Sequence, residues 1–115
     1  LKAMIEGFSD DRIGRAIALI HRDPAKHWTV GTLAREVGMS RTRFAILFHD
    51  LIGMAPIGYL AEWRLQKAVA LLTTTRKTIG EIAPASGYAS PAAFTRAFVE
   101  RFGKSPRQMR ADLDQ

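Results

Sequence analysis

Residues 38–56 read GMSRTRFAILFHDLIGMAP and residues 87–106 read GYASPAAFTRAFVERFGKSP, two versions of one pattern in a single short chain. Both follow the grammar of a helix-turn-helix step. Gly38 closes one helix as a left-handed cap and Ser40 caps the next. That next helix carries Phe44, Leu47, Phe48 and Leu51 at helical spacing, and Gly53 stops it. In the later copy Gly87 closes, Ser90 caps, and Pro91 takes the favoured first helical position. Phe94, Ala97, Phe98 and Phe102 form the inward stripe, and Ser105-Pro106 starts a short final helix.

The repeat holds residue by residue. At an offset of 49, Thr29 matches Thr78, Gly31 matches Gly80, Ala34 matches Ala83 and Gly38 matches Gly87. One residue then enters at the turn. Beyond it the offset is 50, and Phe44 matches Phe94, Phe48 matches Phe98, Gly53 matches Gly103 and Pro56 matches Pro106. These identities in register define a duplicated unit of two short helices around a glycine turn. A small alanine four residues before each turn lets the helices approach, and the glycine supplies the positive φ. This is the helix-turn-helix pattern, whose second helix enters the DNA major groove.

The rest of the chain is also helical. Ser9 is the expected N-cap of an opening helix, with Asp10 and Asp11 favourably placed in its first turn. Ile13, Ala16, Ile17 and Ile20 form its stripe until Asp23-Pro24 ends it. Thr29 opens a second helix carrying Val30, Leu33, Ala34 and Val37. Between the repeats, residues 57–72 form a long connecting helix with a broad stripe of Ile57, Leu60, Trp63, Leu65, Ala68, Leu71 and Leu72. Thr78 and Glu81 make a T-x-x-E capping box. Nothing alternates at period two, so the fold is all-α with about seven helices. The expected organisation is a first helix-turn-helix unit over 1–56, a connecting helix over 57–73 and a second unit over 74–115. At about 24 Å, such a connector is long enough to serve two recognition helices in successive major grooves, whose centres lie about 34 Å apart.

At 115 residues and 47% hydrophobic content, the chain has enough apolar material for a packed interior. No apolar run is long enough to span a bilayer, and the opening LKAMIEGFSDD lacks a basic n-region followed by an apolar h-region, so no signal peptide is expected within it. The chain opens on Leu1, as a piece of something longer would. With no cysteine, disulfides and thiolate metal sites are excluded, and a reducing, cytoplasmic setting is expected. The charge is lopsided: 17 Lys+Arg against 11 Asp+Glu leaves +6 and a pI near 10.3, which suits an anionic partner.

The stretch IGEIAPASGYASPAAFTRAFVERFGKSPRQMR, residues 79–110, resembles the C-terminal signature of AraC/XylS transcription regulators. The marker residues are Ile82-Ala83, Gly87-Tyr88, Ser90, Phe94, Arg96, Phe98, Phe102-Gly103, Ser105-Pro106 and Arg110, and the likeness reaches back to about Asp11. The resemblance implies a bacterial regulator with two helix-turn-helix units joined by a long helix. It also implies a sensing or dimerisation domain elsewhere in the same full-length chain. Two positions depart from the pattern. Ile46 stands where the family often shows a polar or basic residue. Pro84 falls six residues after the cap Thr78, where it removes a bond to Gly80, a defect of about 3 kcal/mol in a regular helix. That helix is therefore expected to be kinked, or to begin later than its capping box.

Turning the phenylalanine stripes inward exposes Thr42, Arg43, Ala45, Ile46 and His49 on one recognition helix and Ala92, Thr95, Arg96 and Val99 on the other. Base contacts are expected from Thr42, Arg43, Ala45, Ile46, Ala92, Thr95 and Arg96. Arginine's fork matches guanine O6/N7, and Ala45 and Ile46 suit thymine methyls. Phosphate contacts are expected from Ser40, Arg41, Arg64, Ser90, Lys104 and Arg107. Trp28 and Trp63 read as core rather than as base-stacking platforms. His21, His27 and His49 lack metal-ligand spacing, and no phosphate loop, HExxH or nucleophile elbow occurs. The chain is accordingly read as a non-enzyme without cofactor or metal. Its expected partners are double-stranded DNA, RNA polymerase and the rest of its own chain, with no membrane. Two alternatives come from other classes: a helical interaction module that contacts the transcription machinery, and the DNA-binding appendage of a repair enzyme.

Overall fold

The structure is a computed structural model and describes residues 10–114. Among these residues there are seven helices and no strand. They are α1 (Asp11–Arg22), α2 (Val30–Glu36), α3 (Arg41–Ile52), α4 (Pro56–Thr74), α5 (Ile79–Ala85), α6 (Pro91–Phe102) and α7 (Pro106–Leu113). The all-α reading and the helix count hold. Packing divides the chain into two compact units, the first through Trp63 and the second from Arg64, with the division falling inside α4.

In unit 1, α1 begins at Asp10, whose carboxylate accepts the amides of Arg12 (2.9 Å) and Ile13 (3.2 Å). Asp10 is thus the cap itself, not a first-turn residue, and Ser9 lies outside the described residues. Ile13, Ala16, Ile17 and Ile20 are buried as their spacing requires, and they pack with Leu33, Ala34, Phe44, Phe48 and Leu60 in one core. Trp28 joins that core and donates its indole N–H to the Asp23 carbonyl at 2.9 Å. Trp63 packs against the same core, so both tryptophans are structural. Ile57 departs from the expected stripe. The first turn of α4 buries Pro56 instead and leaves Ile57 on the surface.

Unit 2 repeats the scheme with its own core of Leu65, Ala68, Leu72, Ile82, Ala83, Phe94 and Phe98. The hydroxyl of buried Ser86 donates to the Ile82 carbonyl at 2.8 Å, which removes the cost of an unpaired polar group. The capping box over α5 is formed. The Thr78 hydroxyl accepts the Glu81 amide at 3.1 Å, and the Glu81 carboxylate accepts the Thr78 amide at 2.9 Å. The bond from the Thr78 amide, followed by the Thr78 side chain, holds the Glu81 carboxyl below its ordinary range. Pro84 therefore neither delays the start of α5 nor ends it early. Both Pro84 and Gly80 lie on the exposed side, where water can serve the freed carbonyl.

Candidate nucleic-acid interface

The two turns that set the recognition helices are the same structure built twice. After α2, Gly38 adopts φ +74°, its amide bonds the Arg35 carbonyl (3.2 Å), and the Met39 amide bonds the Ala34 carbonyl (2.9 Å). After α5, Gly87 adopts φ +93°, its amide bonds the Pro84 carbonyl (3.0 Å), and the Tyr88 amide bonds the Ala83 carbonyl (2.9 Å). Each is a Schellman closure, which ends one helix and redirects the chain at a fixed angle into the next. Alanine at the accepting position is buried in both copies and lets the helices pack closely.

Each recognition helix is then started by a serine. The Ser40 hydroxyl oxygen accepts the Arg43 amide at 3.3 Å, and the Ser90 hydroxyl oxygen accepts the Ala93 amide at 3.1 Å. Acceptance leaves each hydroxyl proton free to donate outward, which suits a phosphate oxygen. Left-handed Gly53 and Gly103 end the two helices. Phe44 and Phe48 anchor α3, and Phe94 and Phe98 anchor α6, all four fully buried. The opposite faces are therefore held outward by rigid aromatic contacts.

On α3 that face presents Arg41, Thr42, Arg43, Ile46 and His49 as exposed residues, with Ala45 half-buried. Ile46 keeps 58% of its surface in water, the most exposed large apolar side chain among the described residues. The stem of Arg41 runs over Gly31 of α2, where an added Cβ would lie 3.4 Å from its Cδ. On α6 the face presents Ala92, Arg96 and Val99, with Thr95 half-buried. Thr95 shares a cleft of about 240 Å³ with Ile79, Ser105, Pro106 and Arg107, which brings the start of α7 beside the recognition helix.

The remaining basic candidates fall into different settings. Arg107 is exposed on the first turn of α7. Lys104 donates to the Asp112 carboxylate at 2.7 Å, and Gln108 donates to the other oxygen at 2.8 Å. The hydrogen bond from Lys104, followed by that from Gln108, holds the Asp112 carboxyl below its usual range. This surface pair is weak enough to exchange for a phosphate. Arg64 is half-buried on α4. Burial lowers its guanidinium pKa, and the neighbouring Tyr88 opposes that shift.

Two sets of contacts have no counterpart in the sequence reading, although Arg110 is one of the markers of the resemblance. Arg110 of α7 donates to the carbonyls of Leu72 (3.3 Å), Thr75 (3.3 Å) and Lys77 (2.6 Å), tying the end of α4 and the approach to α5 against α7. In unit 1, His21 stacks on Trp63 with centroids 3.7 Å apart, and its Nε2 lies 2.6 Å from the Tyr59 hydroxyl. Among the described residues no group of His, Asp and Glu is arranged to hold a metal ion, and no single helix is long and apolar enough to cross a membrane.

A family profile described as "Helix-turn-helix domain" matches residues 33–112, most of the chain and both turns. The chain belongs to the AraC-type helix-turn-helix family. It is 39% identical over 109 residues to the HTH-type transcriptional regulator AlkR of Acinetobacter baylyi, covering 95% of this chain and 36% of that protein. It is 38% identical over 104 residues to the RCS-specific HTH-type transcriptional activator RclR of Escherichia coli K12, covering 90% and 37%. The chain thus spans about a third of the length of these curated relatives. Among solved structures it resembles the DNA-binding domain of AdpA in complex with a target DNA, with TM-score 0.82, 32% identity and coverage of 86% and 89%. It also resembles an AraC-type regulator from Chromobacterium violaceum, with TM-score 0.83, 31% identity and coverage of 93% and 96%.

Proposed function

We propose that this chain binds double-stranded DNA sequence-specifically, as the DNA-binding part of a bacterial transcription regulator. Each unit lays its recognition helix, α3 or α6, into a major-groove segment. The observation that carries this reading is the twofold construction of one device: a Schellman turn, a serine cap and a buried phenylalanine pair, each presenting an uncommitted outward helix face. A structural role alone has no need for two such faces on a chain of net charge +6.

Base contact is assigned to Thr42, Arg43, Ala45 and Ile46 in unit 1 and to Ala92, Thr95 and Arg96 in unit 2. Arg96 is the residue best equipped to fork onto a guanine. Ser40, Arg41, Arg64, Ser90, Lys104 and Arg107 serve phosphates, Lys104 by leaving Asp112. RNA polymerase and a sensing domain of the same chain are partners of the full-length regulator in this reading, which acts in the cytoplasm and performs no catalysis.

The test is selection of duplexes from a random pool, followed by titration at several salt concentrations. With about four to eight phosphates neutralised, log K falls against log salt with slope near −4 to −7. An affinity that does not change with salt, or a pool that yields no shared sequence, refutes the reading.

A further inference from the structure

The repeat pairs residues across the two units, and at one set of pairs the chemistry differs in kind. At the offset of 50, Ile46 pairs with Arg96, Met54 with Lys104, Ala55 with Ser105 and Ile57 with Arg107. In unit 2 the centre of the recognition helix and the turn behind it are therefore basic and hydroxyl-bearing. In unit 1 the same places are apolar yet still face water: Ile46 is 58% exposed, Met54 37% and Ile57 41%. Charge is moved rather than lost. Arg41 and Arg43 stand at the start of α3, where unit 2 has Pro91 and Ala93.

Ile46 forms a ridge between two shallow clefts. One, of about 260 Å³, is lined with Met39, Arg43, Leu47 and Asp50, and the other, of about 500 Å³, with Val30, Arg41, Thr42 and Ala45, so the isoleucine is the apolar centre of a face whose rim is charged and polar. A β-branched side chain on a helix is held near one rotamer, so Ile46 offers a fixed methyl surface. It has no donor or acceptor and cannot read the hydrogen-bond pattern of a base edge. The one apolar group on the major-groove edge of the base pairs is the C5-methyl of thymine.

We infer that unit 1 reads C5-methyl groups of pyrimidines in its half-site, with Ile46 as the side chain that senses them. This inference rests on the DNA-binding reading above and names what half of that interface recognises. The contact is blind to the exocyclic group at C4, so 5-methylcytosine satisfies it where cytosine does not.

The experiment takes a selected duplex and replaces the thymines of the unit 1 half-site one at a time with deoxyuridine. This change removes a methyl group and leaves every hydrogen bond in place. Wild-type protein is expected to lose about fourfold in affinity at one or two positions, the factor for one methyl-sized apolar contact. At those positions Ile46→Ala binds thymine and deoxyuridine duplexes equally, and 5-methylcytosine outperforms cytosine for wild type only. No loss at any position in wild type overturns the inference. So does an equal loss in Ile46→Ala, which would place the sensing on another side chain. Because Ile46 lies on the surface, a thermal melt of the variant separates either result from misfolding. Failure of wild type to bind the unmodified duplex would sink the DNA-binding reading itself, and the unmodified control reports that separately.

Discussion

Replacing Pro84 by alanine is expected to stabilise the protein, by less than a helix proline ordinarily costs. Pro84 is the sixth residue of the seven-residue α5 and lacks the amide that would bond the Gly80 carbonyl. In a regular helix interior the difference from alanine is about 3 kcal/mol. Three features of the structure reduce it. The single affected carbonyl belongs to an exposed residue, so water replaces the lost bond. Pro84 is followed by a single further helical residue, so its ring disturbs only the last turn of α5. The bonds that close the helix remain intact, with the Ser86 amide on Ile82 at 2.9 Å and the Tyr88 amide on Ala83 at 2.9 Å. Proline also restricts the unfolded chain, an advantage of about 0.4–1 kcal/mol that the alanine forfeits. The net expectation for Pro84→Ala is a gain of about 1–2 kcal/mol in ΔG of unfolding, measured by urea titration with an unchanged m-value. Gly80→Ala is a companion: its new Cβ meets nothing nearer than the Thr78 hydroxyl at 3.8 Å, and the gain should be about 0.5–1 kcal/mol. A destabilised Pro84→Ala would refute this account and show that the proline ring itself sustains the turn.

The repeat equates Phe48 with Phe98, both fully buried in their separate cores, so Phe→Ala at either should cost about 3–5 kcal/mol by thermal or denaturant melting. Arg110→Ala should cost about 1–3 kcal/mol, since one of its three carbonyl bonds is exposed. Hydrogen exchange should rise at residues 78–81, and Arg110→Lys, with no fork to span three acceptors, should restore little. Burial lowers the pKa of His21 below its ordinary 6.5, so the unfolded chain takes up the proton more readily. Stability from this group is present above about pH 6.5 and is lost as pH falls toward the folded pKa. Melting temperatures of wild type and His21→Gln should therefore converge as pH drops from about 7 to about 5; parallel curves would remove His21 from the account.

What the sequence made legible is what is decided locally. A cap, a left-handed glycine and a stripe are each settled within a few residues. Accordingly Ser40, Ser90, the Thr78–Glu81 box and the glycines at 38, 53, 87 and 103 all sit where their spacing places them. The equivalent box at Thr29 escaped because its partner is Thr32, whose short hydroxyl accepts the Thr29 amide at 2.8 Å in place of the usual longer side chain. Ser9 and Asp10 are both good caps, and only the backbone path chooses Asp10. Ile57 misled because a stripe loses its meaning in the first turn of a helix, where the entering chain rather than periodicity decides which side is covered. Arg110 and the His21–Tyr59 pair were illegible for one reason: each joins residues more than 30 positions apart, and no local rule connects them.

The recognition face is a different kind of inference, because it is read as a remainder. Once Phe44 and Phe48, or Phe94 and Phe98, are assigned inward, what is left on the helix must face out, and the structure places it there. A remainder of arginine and threonine is ordinary surface and by itself decides little. A single isoleucine with most of its area in water is ordinary too, as Leu113 at 56% exposure shows, and it gains meaning only from its place beside Thr42, Arg43 and His49 on the same outward face. The duplicated unit sharpens the comparison, for the same position in the second copy holds Arg96. In the proposed reading one backbone device thus carries two recognition chemistries, and the exposed apolar residue, rather than the abundant positive charge, marks where the two half-sites would differ.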